Sequence, residues 1–161
     1  MFEPFLVFDL MPTRSCPQYH VYTNFSFFYF QECGGTIDAR VDQAGAFSHP
    51  NYPANYQSRR ECVYIIKTSP GNLISLSFDK FKLEASAQCL YDFFQVRDGQ
   101  DANAKSLGKF CGSQIPAVIK SSGDSLFVKF FSDDSTVDTG FVAKWKVDID
   151  NTLPTPGPTP G

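Results

Sequence analysis

Asp92 is the acid whose surroundings say most about chemistry. It stands in CLYDFFQVRDG, residues 89–99, just after Cys89 and at the head of an aromatic and β-branched run that stops at Asp98-Gly99. The pattern predicts a cysteine-anchored strand with a carboxylate at one end and a turn, carrying Asp98, at the other. A carboxylate so placed is either solvated or a ligand. Catalytic readings fail on residue type: there is no G-x-S-x-G and no H-E-x-x-H, and neither His20 nor His49 lies in a recognisable catalytic setting. Glu84 and Asp92 together would imitate a glycosidase pair, but a small sandwich offers little cleft, and a shared cation is the simpler reason for two such acids to meet. The expectation is a non-enzyme, which can still be an accessory module of an extracellular protease whose catalytic domain lies elsewhere.

The cysteines set the compartment. The chain has five, Cys16, Cys33, Cys62, Cys89 and Cys111. None forms a C-x-x-C pair and both histidines stand far from them, which argues against zinc. Setting Cys16 aside as the leftover thiol, four cysteines admit three pairings. We take the sequential one, Cys33 with Cys62 and Cys89 with Cys111. Each bridge would close a loop of roughly 20 to 30 residues and contribute about 3.5 kcal/mol in the chain-entropy picture. Such bridges imply an oxidising, extracellular setting.

These residues must be positioned by strands. In LISLSF, Ile74, Leu76 and Phe78 share one face; in SLFVKFF, Leu126, Val128 and Phe130 do; in FVAKWKV, Phe141, Ala143, Trp145 and Val147 oppose Val142, Lys144 and Lys146. No apolar helical stripe follows Cys33, so helix is at most a short turn. Many short strands between Gly, Pro, Asn and Asp turns predict an all-β, antiparallel sandwich. Phe78, Phe81, Phe93, Phe94, Phe110, Phe130 and Trp145 are expected in its core, and His49, between Ser48 and Pro50, on an exposed loop.

At 161 residues the chain suffices for one domain with tails. A formal net charge of −3 offers no basic stripe for nucleic acid, and no apolar run approaches the roughly 20 residues of a membrane helix. Residues 1–32 are expected to lie outside the fold as an N-terminal extension. The stretch NFSFFYFQ, 24–31, can be written in pyrimidine-rich codons ending in CAG, as at an intron end, so the extension is open to being a gene-model artefact. Residues 33–149 are expected to form the domain, and 150–161, rich in Pro, Thr and Gly, an extended linker. A terminal linker implies a fragment of a larger multidomain secreted or cell-surface protein.

From Cys33 to about Val147 the chain resembles the CUB domain family. The resemblance runs in order through CGGTI, GAFSHPNYPANY, CVYII (Tyr64 standing where the family commonly has Trp), FKLEASAQCLYDFFQVRDG, LGKFCG, IPAVIKSSGDSLFVKFFSDDS and TGFVAKW. It implies a compact, jelly-roll-like sandwich of two antiparallel sheets and carries the same two disulfides.

The resemblance also implies a calcium site at one end of the sandwich. Its ligands would be Glu84 in FKLE, Asp92 in CLYD and Asp133 in SDDS, with main-chain oxygen from the loop around Ser135 and Thr136. Tyr56 in NYPANY would buttress the acids, and Asp134 and Asp138 stand near enough in sequence to assist. Three converging carboxylates repel unless a cation is bound, and oxygen ligands on flexible loops suit Ca²⁺. The function implied is a calcium-dependent protein-binding module that takes a partner's Lys or Arg at Tyr56, Glu84, Asp92 and Asp133. The alternative is a calcium-independent spacer or self-association module using a sheet face.

Overall fold

A computed structural model describes residues 33–149. The expectations for residues 1–32, including Cys16, and for 150–161 lie outside the described residues.

Among the described residues nine strands form the fold: β1 Gly34–Asp38, β2 Ala44–Ser48, β3 Arg60–Lys67, β4 Leu73–Lys82, β5 Phe93–Asp98, β6 Lys105–Phe110, β7 Ile119–Lys120, β8 Ser125–Ser132 and β9 Gly140–Asp148, with one 3-10 turn at Ala87–Cys89. They make two sheets, ordered β1-β3-β8-β5-β6 and β2-β9-β4-β7. Alternation in the sequence becomes alternation in burial. Cys62, Tyr64 and Ile66 of β3, Phe94 and Val96 of β5, and Leu126, Val128 and Phe130 of β8 face Ile74, Leu76 and Phe78 of β4 and Phe141, Ala143, Trp145 and Val147 of β9 in one core. A register shift between Phe78 and Lys80 of β4 changes the phase of the pleat. Phe78 and Phe81, an odd number of residues apart, are thereby both buried.

The sandwich is not wholly antiparallel. β1 pairs parallel with β3, Gly34 opposite Val63. Gly34 has φ +97°, and a Cβ there would lie 2.3 Å from the Val63 carbonyl oxygen, so the close approach requires glycine. The Cys33–Cys62 bridge, Cα atoms 5.1 Å apart, pins the start of this pair; Cys89–Cys111, 5.5 Å apart, ties the 3-10 turn to the end of β6.

Two expectations about side chains are corrected. Phe93 is half-buried outside the core: it stacks on Phe131 across the outer face of the five-stranded sheet, ring centroids 5.2 Å apart. Phe94, its neighbour of opposite parity, takes the inward position, while Phe110 packs at the core's margin, partly buried. His49 is 1% exposed rather than on an exposed loop. Its ring is walled by Tyr52, Tyr56 and Phe141, and a contact 90 residues away closes over it.

Candidate metal centre

Four separate stretches meet at one end of the sandwich. Tyr56 comes from the turn-rich loop before β3, Glu84 from the chain leaving β4, Asp92 from the residue preceding β5, and Asp133 from the residue following β8. Carboxylate oxygens of Glu84, Asp92 and Asp133 lie within 4.8 Å of one another.

Asp92 is the centre of this arrangement, with no exposed surface. Its Oδ2 accepts the Tyr56 hydroxyl at 2.6 Å and its Oδ1 accepts the Asp133 amide at 2.8 Å. The same Tyr56 oxygen accepts the Glu84 amide at 3.0 Å. One phenol thus fixes two of the three acidic stretches. Burial, and then the bond to Asp92, push its pKa well above the ordinary phenol value, so the group stays a donor. The Tyr56 ring packs edge-on against Phe130 of the core, which fixes the hydroxyl's position.

Asp133 is held by its own loop: its Oδ1 accepts both the amide and the hydroxyl of Ser135, each at 2.9 Å. Its carbonyl accepts the Arg59 amide at 2.6 Å. Ser135 therefore enters the geometry as a donor that orients Asp133. Asp134 and Asp138 are engaged elsewhere, Asp134 with Arg59 at 3.5 Å and Asp138 with Lys82 at 3.3 Å.

Glu84 is the member whose bonding is incomplete. Its Oε2 is buried and has no hydrogen-bond partner. Leaving such an atom unsatisfied costs about 1–3 kcal/mol, more when it is charged. Mutual repulsion adds to this, since two carboxylates 4.8 Å apart repel by roughly 3–4 kcal/mol at an effective dielectric of 20. An oxygen-only donor set with one buried, unpartnered member fits a hard divalent cation and fits neither zinc nor a soft metal.

A second layer was not legible in the sequence. His49 Nδ1 lies 2.7 Å from the Pro50 carbonyl and Nε2 lies 3.0 Å from the Thr139 carbonyl. The ring therefore bridges the loop that carries Tyr56 and the loop that follows Asp133. The Tyr56 amide adds a second strut, donating to the Asp138 carbonyl at 3.1 Å. Ser132 adds a third, its hydroxyl donating to the Gln57 carbonyl at 2.7 Å and accepting the Arg60 amide at 3.0 Å. The only local signal was the position of His49 inside the turn-rich SHPNYP run.

Comparison with known proteins shows the family of the chain. The family model described as "CUB domain" matches residues 33–145. The mouse (Mus musculus) protein "Neuropilin and tolloid-like protein 1" is 46% identical over 104 residues, 64% of this chain and 20% of that protein. Pig (Sus scrofa) cubilin is 38% identical over 117 residues, 71% of this chain and 3% of that protein. Among solved structures, the MASP-1 CUB2 domain bound to Ca²⁺ superposes with a TM-score of 0.60 at 28% identity, covering 71% of this chain and 96% of that one. The chain belongs to the CUB domain family. It spans a fifth or less of the length of these two relatives. CUB domains are non-catalytic, protein-interacting modules of extracellular proteins, and the two disulfides fit that setting. Among the described residues, no helix is long and apolar enough to cross a membrane.

Proposed function

We propose that residues 33–149 form a calcium-ordered protein-recognition module of a larger extracellular protein, with residues 1–32 and 150–161 outside the folded unit. Glu84, Asp92 and Asp133 would hold the ion, joined by the main-chain oxygen of Ser135. The observation that carries the reading is the convergence of three carboxylates whose Glu84 Oε2 is buried without a partner. The likeness to a CUB domain solved with Ca²⁺ supports it.

Bound calcium supplies charge neutralisation and ties the loops together. The recognition itself belongs to the chain's own groups. Three carboxylates carry about −3 and a divalent ion returns +2, so the end of the sandwich keeps negative charge for a partner's Lys or Arg. Tyr56 sets the positions of Glu84 and Asp92 on which that side chain would close.

Extracellular modules hold calcium at about 10⁻⁴ to 10⁻³ M, so 10 mM calcium should stabilise the fold by ~1.4–2.7 kcal/mol, several degrees in Tm. Asp133→Ala should lose most of that rise. Isothermal titration that detects no heat at millimolar calcium, with no change in Tm, overturns the metal reading. Binding of a Lys-bearing partner that survives chelator and Glu84→Ala unchanged overturns the recognition reading.

A further inference from the structure

The outer face of the five-stranded sheet mixes aromatic rings with cationic side chains. Its rows run across the strands in register: Glu61, Phe131 and Phe93 in one, Lys129, Gln95 and Lys109 in the next, Phe127 beside Arg97 in the third, and Lys67 beyond. Phe93 and Phe131 stack nearly parallel, 23° between planes. The Lys109 ammonium sits 4.0 Å from the centre of the Phe93 ring. Of the four cations, Lys129 pairs with Glu61 at 2.9 Å. Among the described residues, Lys67, Arg97 and Lys109 have no carboxylate within 4 Å. Asp38, opposite Lys67, is taken by Arg40 at 2.7 Å.

On the opposite sheet most lysines pair with carboxylates, Lys80 turning instead to the Tyr52 hydroxyl at 3.2 Å. There Lys120 and Lys146 share Asp148, and Lys144 pairs with Asp79. On the five-stranded face Lys67, Lys109 and Arg97 carry no paired carboxylate, Arg97 donating instead to the Ala104 carbonyl at 2.9 Å, in a chain of formal net charge −3. They are also spread out. Strand spacing and rise put successive members of Lys109, Lys129, Arg97 and Lys67 roughly 8–12 Å apart on a sheet surface. No single small anion spans that, whereas a linear chain with an anion on every repeat does. The stacked phenyl rings offer an apolar bed on which the C–H faces of sugar rings lose contact with water.

We propose that this face is a second binding surface, beside the acidic end, for a sulfated polysaccharide. Lys109, Lys67 and Arg97 contact sulfate and carboxylate groups, Lys129 does so alongside its pairing with Glu61, and a sugar ring rests against the outward edges of the stacked Phe93 and Phe131. Binding is electrostatic, falls with salt, and needs no calcium.

The test uses the full chain on immobilised heparin, in chelator. The parent protein should be retained at about 0.15 M salt and released as salt rises. Lys67→Glu with Lys109→Glu should weaken binding about tenfold or more, while Lys120→Glu with Lys144→Glu, the same charge change on the other sheet, should stay within about threefold. Circular dichroism checks each fold, and Lys109→Ala at an exposed side chain must weaken binding in the same direction should the double reversal fail to fold. No retention of the parent, equal loss from the two charge reversals, or equal retention on fully desulfated heparin each overturns the proposal. Loss of retention in chelator also overturns it, since binding would then belong to the acidic end.

Discussion

At the scale of single residues, Tyr56 joins the core to the acidic cluster. Its ring is fully packed, and its hydroxyl donates to Asp92 while accepting from the Glu84 amide. Tyr56→Phe keeps the packing and removes both bonds, leaving a part-buried amide and a buried carboxylate oxygen each short of a partner. Such losses cost about 1–3 kcal/mol apiece, the upper end applying to the charged group. Tm should therefore fall by several degrees even in chelator, and calcium affinity should fall with it as Glu84 loses its anchor. A variant with parental Tm but weak calcium binding would make Tyr56 a direct contributor to the ion rather than a brace. The three acids were reachable from the sequence because each sits in a short stretch matching the family pattern. The Glu84 oxygen's lack of a partner was not, since pairing depends on what three other stretches bring near it.

At the scale of elements, the loops are positioned by a contact the sequence conceals. His49 and Thr139 are 90 residues apart and meet because β2 and β9 are neighbours in the four-stranded sheet. Gly140, φ +80°, lies so close beneath the imidazole that a Cβ would stand 2.2 Å from its Cδ2. Gly140→Ala thus combines a left-handed backbone with a collision in a buried, ring-walled site, and the ring has no room to move. We expect a loss of about 2–4 kcal/mol in chemical denaturation, with weaker calcium binding because the loop after Asp133 shifts. His49→Ala in the Gly140→Ala background should then cost less than in the parent, since the colliding ring is gone. Additive losses would show that the two sites do not meet as described. Alternation along β4, β8 and β9 made the sandwich readable. The parallel β1–β3 pairing was not readable, because it depends on which strand lies alongside; the outward Phe93 was, since it shares parity with Gln95 and Arg97 while Phe94 goes with Val96.

At the scale of the molecule, the question is where the folded unit ends. The family match stops at 145, yet β9 runs through Asp148 and Val147 is 5% exposed in the core. The Val147 amide also donates to the Gln43 carbonyl at 2.7 Å. Burial of one valine stabilises by about 1.5–3 kcal/mol, and the amide bond adds about 1. A fragment of residues 33–149 should therefore fold in oxidising buffer and exceed 33–145 in stability by roughly 2.5–4 kcal/mol at neutral pH. Asp148 makes that advantage depend on acid. The Ser75 hydroxyl, with Lys120 and Lys146, holds its carboxyl below the usual range. A depressed folded pKa contributes stability that is complete above the unfolded value, about 3.9, and is lost as pH falls through the folded one. The gap between the two fragments should thus be widest above about pH 5 and narrow below about pH 4, as seen in urea midpoints across that range. A gap that is constant with pH would leave Val147 as its whole cause, and no gap at all would place the boundary at 145.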